Sequence, residues 1–299
     1  MPGLASIACG MPAHYLLIPI EKNYNLIKGK PKSLKNLISD GFRFNNDING
    51  LCNGTISPVQ YSAIKKSDEG LAKSLSEFFV EAYSLLSDSR VISALDGIDD
   101  HYDTFFAKGA NEPVCPFCGI SSMLNPENST REAYDHFFPK ELYPFNSINF
   151  ANLVPMCHTC NSKYKTRKDP INLRFGGPRK LVFYPFNKDK FEINIEFVFK
   201  SYDLENITSD DIDITIASNT HKEEVKSWKY IFGIEERYIA KCCETSAYKG
   251  WLEEYRLLLY AGMSISFDEY IKTKEVHKYT NVKFLEVAYL KACNNLSII

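Results

Sequence analysis

Four of the nine cysteines form two Cys-x-x-Cys pairs, Cys115/Cys118 and Cys157/Cys160. Each pair can offer two thiolates from one tight turn, and a tetrahedral zinc ion would join the two turns. Pro116 inside the first pair and Gly119 directly after it suit such a turn. Redox pairs or unrelated buried thiols are the other readings, but two such pairs flanking one insert favour a metal. His158, inside the second pair, is read as a polar neighbour and not as a ligand. The insert, residues 119–156, is longer than the roughly 15–20 residues of a simple zinc ribbon, so something is built between the knuckles.

That insert contains Tyr134-Asp135-His136-Phe137-Phe138-Pro139-Lys140. It ends in Asn152-Leu153-Val154-Pro155-Met156, which leads into Cys157-His158-Thr159-Cys160-Asn161-Ser162-Lys163. Asp135 and Asn161 carry hard oxygen donors of the kind magnesium prefers, and His136 carries an imidazole that is available in neutral form near pH 7. Residues 133–138 read as a strand and 153–156 as its antiparallel partner, with a helix opening at Thr159 or Cys160 and running to about Lys165. Adjacent residues on a regular strand face opposite ways, so Asp135 and His136 can share a site only where the strand ends or bulges.

This order of motifs resembles the HNH endonucleases with the ββα-metal fold: Cys-x-x-Cys, Asp-His before Pro, Asn-Leu, then Cys-x-x-Cys-Asn and a nearby Lys. The resemblance covers residues 112–168. It implies hydrolysis of phosphodiester bonds in DNA, with His136 as general base and Asp135 and Asn161 holding a catalytic magnesium or manganese ion. It also implies a structural zinc on Cys115, Cys118, Cys157 and Cys160, and an Asn152 that braces the loop between the strands by backbone hydrogen bonds. The family often has His as its last metal ligand; Asn161 stands there in this chain, which favours magnesium or manganese over softer metals. Nucleases of this size resemble effectors of bacterial restriction or anti-phage systems, including the Septu type, in which a partner ATPase controls the nuclease. The alternative is a non-catalytic zinc-stabilised module that binds nucleic acid or protein. Such a module has no need to assemble Asp135, His136 and Asn161.

Lys140, Lys163, Lys165, Arg167 and Lys168 are the candidate phosphate contacts, with Arg174, Arg179 and Lys180 beyond them. Helical spacing spreads Lys163 to Lys168 around a helix end. The acids and imidazole of Asp99, Asp100, His101 and Asp103 are read as helix capping and not as a second metal site, and Cys242-Cys243 as inert thiols.

The elements that must position these groups divide the chain into three. Residues 1–110 are mainly helical. Ser67-Asp68-Glu69 opens the clearest helix, and Leu71, Leu75, Phe78, Ala82 and Leu85 form its apolar face. A short helix follows from Asp99 to Phe106, closing near Gly109. Residues 111–180 hold the nuclease-like core. In 181–299, alternation over Phe191–Phe199 and Ile212–Ile216 predicts a strand pair, followed by helices, one with a Ser266-x-x-Glu269 capping box. Trp228 and Trp251 are read as core. The fold class is α+β: a zinc-bearing core flanked by an N-terminal helical region and a C-terminal β-hairpin with helices.

With 299 residues, 44% hydrophobic, the chain reads as globular. Its formal charge of −2 excludes a strongly cationic coat protein. The three segments carry −1, +3 and −4, so positive charge is confined to the middle one. The longest early apolar run, Leu16 to Ile20, is too short to span a bilayer, and no charged signal region precedes it, so a cytoplasmic location is expected. Met11 offers a second start position.

Overall fold

The computed structural model describes residues 17–88, 98–107, 113–172, 177–187, 191–276 and 280–299. Cys9, Met11, Gly109 and Arg174 lie outside the described residues. Secondary structure is helical with two small antiparallel sheets, an α+β composition. The described residues form two compact units. One runs up to Pro113 and includes Met123–Asn187; the other joins Val114–Ser122 to the residues after Lys188.

The first unit opens with α1 (Leu17–Lys28), α2 (Lys32–Asn45), α3 (Ile48–Cys52), α4 (Tyr61–Ser67), α5 (Glu69–Ser84) and α6 (Ile98–Phe105). Helix α5 starts where it does because the Asp68 side chain accepts the Leu71 N–H at 2.9 Å, and Glu69 sits at the positive end of the helix dipole. Its interior stripe is Leu71, Leu75, Phe79 and Ala82, of which the first three cluster with Leu34 and Ile38 of α2 and Ile64 of α4. Each large side chain buried this way contributes roughly 1.5–3 kcal/mol. Phe79, not Phe78, takes the central position, because four-residue steps from Leu71 and Leu75 keep it on the buried face. Phe78 is only partly buried and packs edge-on against it.

Phe145 completes this cluster from the segment that follows the first strand. Gly41 of α2 lies so close to the Phe145 ring that any Cβ there would collide with it. Asn46 Nδ2 donates to the Phe145 carbonyl at 3.0 Å, and the Tyr61 N–H donates to the Leu142 carbonyl at 3.0 Å. The N-terminal helices therefore hold the loop between the strands.

Strand β1 (Tyr134–His136) pairs antiparallel with β2 (Leu153–Pro155), with Asp135 opposite Val154 and His136 opposite Leu153. Both strands are short, and β1 ends at His136. The helical segment after β2 is a π-helix, Thr159–Lys165, in which the Thr166 N–H reaches back five residues to the Asn161 carbonyl at 2.8 Å.

The second unit contains the hairpin β3 (Asn194–Phe199) and β4 (Ile212–Ala217). Phe197, Phe199, Ile212 and Ile216 are its buried face, as period-two alternation requires. Helices α7 (Lys222–Phe232), α8 (Ile234–Cys242), α9 (Glu253–Tyr260), α10 (Phe267–Glu275) and α11 (Lys283–Asn295) follow, with short helical turns between α8 and α9. The Ser266/Glu269 capping box opens α10. Tyr289 of α11 packs against Phe199 and Trp251. The Trp228 indole donates to the Phe117 carbonyl and the Tyr238 hydroxyl to the Cys118 carbonyl, at 2.5 and 2.9 Å. Both tryptophans are thus packing groups. Among the described residues, no helix is long and apolar enough to cross a membrane.

Candidate active site and metal centre

Cys115, Cys118, Cys157 and Cys160 are all buried, and their Sγ atoms lie within 4.8 Å of one another. In the first knuckle the Gly119 N–H donates to the Cys115 carbonyl at 2.9 Å, and Gly119 adopts φ +67°, a left-handed conformation that glycine takes without a Cβ penalty. In the second, the Cys160 N–H donates to Cys157 Sγ at 3.4 Å, a contact that favours thiolate. Four soft sulfur donors gathered in a buried cluster can hold a zinc ion. His158 is exposed.

Asp135 and His136 occupy the end of β1. The Lys165 ammonium lies 2.5 Å from Asp135 Oδ2, with the two side chains 1% and 12% exposed. The same ammonium donates to the His136 carbonyl at 2.9 Å. Burial pushes the Asp135 carboxyl above its ordinary pKa, and the Lys165 charge opposes that shift. Oδ2 is buried, and the Lys165 ammonium is the charged partner that meets it there. A buried carboxylate oxygen of this kind is a seat for a cation, and it fits a divalent metal ligand as well as an ammonium.

The His136 ring is oriented by its own contacts. Its Nε2 lies 2.8 Å from the Ser147 carbonyl. A carbonyl only accepts, so Nε2 carries the proton and the neutral ring leaves Nδ1 as its basic nitrogen. Burial lowers the His136 pKa to about 4, against the opposing pull of the Ser147 hydrogen bond. The imidazole is therefore neutral throughout the ordinary pH range. Tyr83 of α5 packs on this ring at 4.6 Å between centroids, and the Lys140 ammonium sits 4.5 Å from the Tyr83 ring centre.

Asn152 is fully buried. Its Oδ1 accepts from the Phe138 N–H, and its Nδ2 donates to the Phe138 and Asn146 carbonyls and to Asn146 Oδ1. Asn161 is half-buried on the π-helix, four residues before Lys165.

The basic run does not form one solvated face. Lys163 and Arg167 are exposed and Lys168 is half-buried, but Lys165 is interior and paired with Asp135. Its expected role as a surface phosphate contact is corrected accordingly: an ammonium folded onto a buried carboxylate is not presented to solvent. Arg167 and Lys168 border an open cleft of about 890 Å³ that Lys65, Lys73, Gln60 and Asn172 also line. Arg179 is a packing residue, donating to the Leu51 carbonyl at 2.7 Å. His101 packs on Phe150, and its Nδ1 lies 2.7 Å from the Tyr134 hydroxyl. No second cluster of metal-capable side chains occurs among the described residues.

Tyr83 and Ser147 carry no local mark in the sequence. One lies on a helix far from the motif, and the other contributes only its backbone carbonyl.

No family model matches the chain, and no solved structure matches it. Over 60 residues it is 37% identical to the Septu protein PtuB of Bacillus thuringiensis. That match covers 19% of this chain and 22% of the relative, so about a fifth of the relative's length is represented.

Proposed function

We propose that this chain is a metal-dependent endonuclease of the HNH type, hydrolysing phosphodiester bonds in DNA as part of a bacterial defence system of the Septu kind. The observation that carries this reading is the seating of His136 at the end of β1, with Nε2 committed to Ser147 and Nδ1 left as the base. The β1–β2 hairpin followed by the helical segment Thr159–Lys165 supports a ββα-metal core. The partial likeness to a Septu protein supports the defence setting.

In this mechanism His136 Nδ1 takes a proton from the water that attacks phosphorus. The Ser147 carbonyl and Tyr83 ring hold the imidazole in one tautomer and one orientation. Asp135 and Asn161 would hold a magnesium or manganese ion, which when bound supplies charge stabilisation to the phosphate and leaving oxygen. Lys140 lies beside the base, above Tyr83, and Lys163, Arg167 and Lys168 draw the nucleic-acid backbone towards the site. The chain carries net negative charge, so non-specific affinity is modest and falls with salt.

The test is cleavage of plasmid and of single- and double-stranded DNA and RNA by zinc-loaded protein with magnesium or manganese. His136→Ala should lower the DNA cleavage rate by roughly 10²–10⁴-fold. No cleavage with any divalent ion, or full activity in His136→Ala, would sink the proposal.

A further inference from the structure

We propose that Lys165 is a resident counter-cation of the catalytic metal site. It holds Asp135 in the metal-free protein, and a divalent ion binds there by displacing its ammonium. The inference rests on the reading of Asp135 as a metal ligand.

Three observations carry it. Lys165 is 1% exposed, whereas Lys163, Thr166 and Arg167 around it are exposed. Burying a lysine ammonium is costly unless a partner compensates, so this side chain has turned inward to one particular carboxylate. Its Nζ bridges Asp135 Oδ2 at 2.5 Å and the His136 carbonyl at 2.9 Å, joining the two adjacent residues that the proposed chemistry uses. Finally, Oδ2 is buried, so in the metal-free protein its negative charge is met by the Lys165 ammonium beside it.

Magnesium binds carboxylate oxygen at about 2.0–2.1 Å. An ammonium at 2.5 Å takes up one lone pair of the same oxygen, and two cations so close repel strongly in a poorly screened interior. The exchange follows from this repulsion between cations at one oxygen. The π-helix that carries Asn161 also delivers Lys165, so one element brings both a metal donor and the cation that metal must replace. The consequence is a carboxylate held in place before metal arrives, with metal affinity lower than the bare donors would give.

Manganese binding to the zinc-loaded protein, read from the electron paramagnetic resonance of free Mn²⁺, tests this without reference to cleavage. Lys165→Met should bind Mn²⁺ more tightly than wild type by on the order of tenfold or more, because a competing charge has gone. Its metal-free melting temperature should fall, and saturating Mn²⁺ should restore it. The double variant Lys165→Met/Asp135→Asn should recover the metal-free stability and lose the tightened binding. Lys165→Gln, which removes the charge but keeps a donor for the His136 carbonyl, must show the same tightening and serves if Lys165→Met does not fold. Unchanged Mn²⁺ affinity in both single variants overturns the inference. So does lost stability that neither Mn²⁺ nor Asp135→Asn restores, since Lys165 would then be a packing residue alone. Unchanged affinity together with His136-dependent cleavage leaves the nuclease reading standing; tightened binding without any cleavage does the reverse.

Discussion

Asn152 and Phe138 are joined by a two-way hydrogen bond across the loop between the strands. Asn152 Oδ1 accepts the Phe138 N–H at 2.8 Å, and Asn152 Nδ2 donates to the Phe138 carbonyl at 3.1 Å. Nδ2 also reaches Asn146 Oδ1 at 3.1 Å. One buried amide therefore closes the excursion that carries Lys140 and Ser147, the groups flanking the His136 ring.

Replacing Asn152 by Ala strands the Phe138 N–H and carbonyl in the interior. The expected loss is about 2–4 kcal/mol of stability, since each unsatisfied buried group costs roughly 1–3 kcal/mol. Denaturant unfolding of Asn152→Ala checks this. A midpoint indistinguishable from wild type would mean that the amide does not hold the loop.

His136 gives stability a defined pH dependence. Its pKa is about 4 in the folded protein and near 6.5 when unfolded, so between these values the unfolded chain binds more protons. Stability from this group is therefore present above pH 6.5 and lost as pH falls towards 4, about 2 kcal/mol of it by pH 5. Lys140, Glu141 and Lys165 lie close enough to modulate the window. Melting temperatures of wild type and His136→Gln, compared at pH 7.5 and pH 5, isolate the effect. Wild type should lose more than the variant, and equal losses would contradict the burial of this ring.

Gly41→Ala should push the buried Phe145 ring out of its place, because the new Cβ collides with it. Overpacking of this kind costs typically 1–3 kcal/mol, or about 1–3 kcal/mol here. Phe145 belongs to the loop that carries Ser147, so cleavage should fall too, even where the variant remains folded. Near-ultraviolet circular dichroism alongside the cleavage assay would detect the repacking.

The four-cysteine cluster should carry one zinc per chain, measured by elemental analysis, and Cys160→Ser should reduce it. Structural zinc contributes directly to folding, so strong chelation should lower the melting temperature sharply. Mild EDTA should stop cleavage earlier, because oxygen donors hold their ion less firmly than thiolates do. Reduced protein that contains no zinc and melts unchanged in chelator would remove the metal from the account.

Much of the local architecture was legible because it depends on residues within one turn or one strand period. The Asp68 cap and the stripe Leu71, Leu75 and Ala82 define α5 from a single stretch of chain. Ser266 and Glu269 bond each other three residues apart and open α10. The alternation of β3 and β4 follows from spacing in the same way, while the two Cys-x-x-Cys pairs were legible from residue type, as four soft donors for one ion. Phe79 in place of Phe78 shows the margin of such reading: two adjacent aromatics compete, and the facing helices choose between them.

By itself, then, the sequence determined which residues could do chemistry and which short elements carry them, since residue type and local periodicity need no distant partner. Only the tertiary structure decided how those residues are poised. Lys163, Lys165, Arg167 and Lys168 look alike in one basic run, yet Lys165 turns inward to a buried carboxylate from a strand about thirty residues earlier. The basic nitrogen of His136 is selected by a Ser147 carbonyl eleven residues on, while a Tyr83 ring on α5 packs against the imidazole. The contacts to His136 accompany the docking of Phe145 into the α2–α5 core, which sets the Ser147 loop against the helices. Long-range packing of that kind has no signature in the spacing of any one segment.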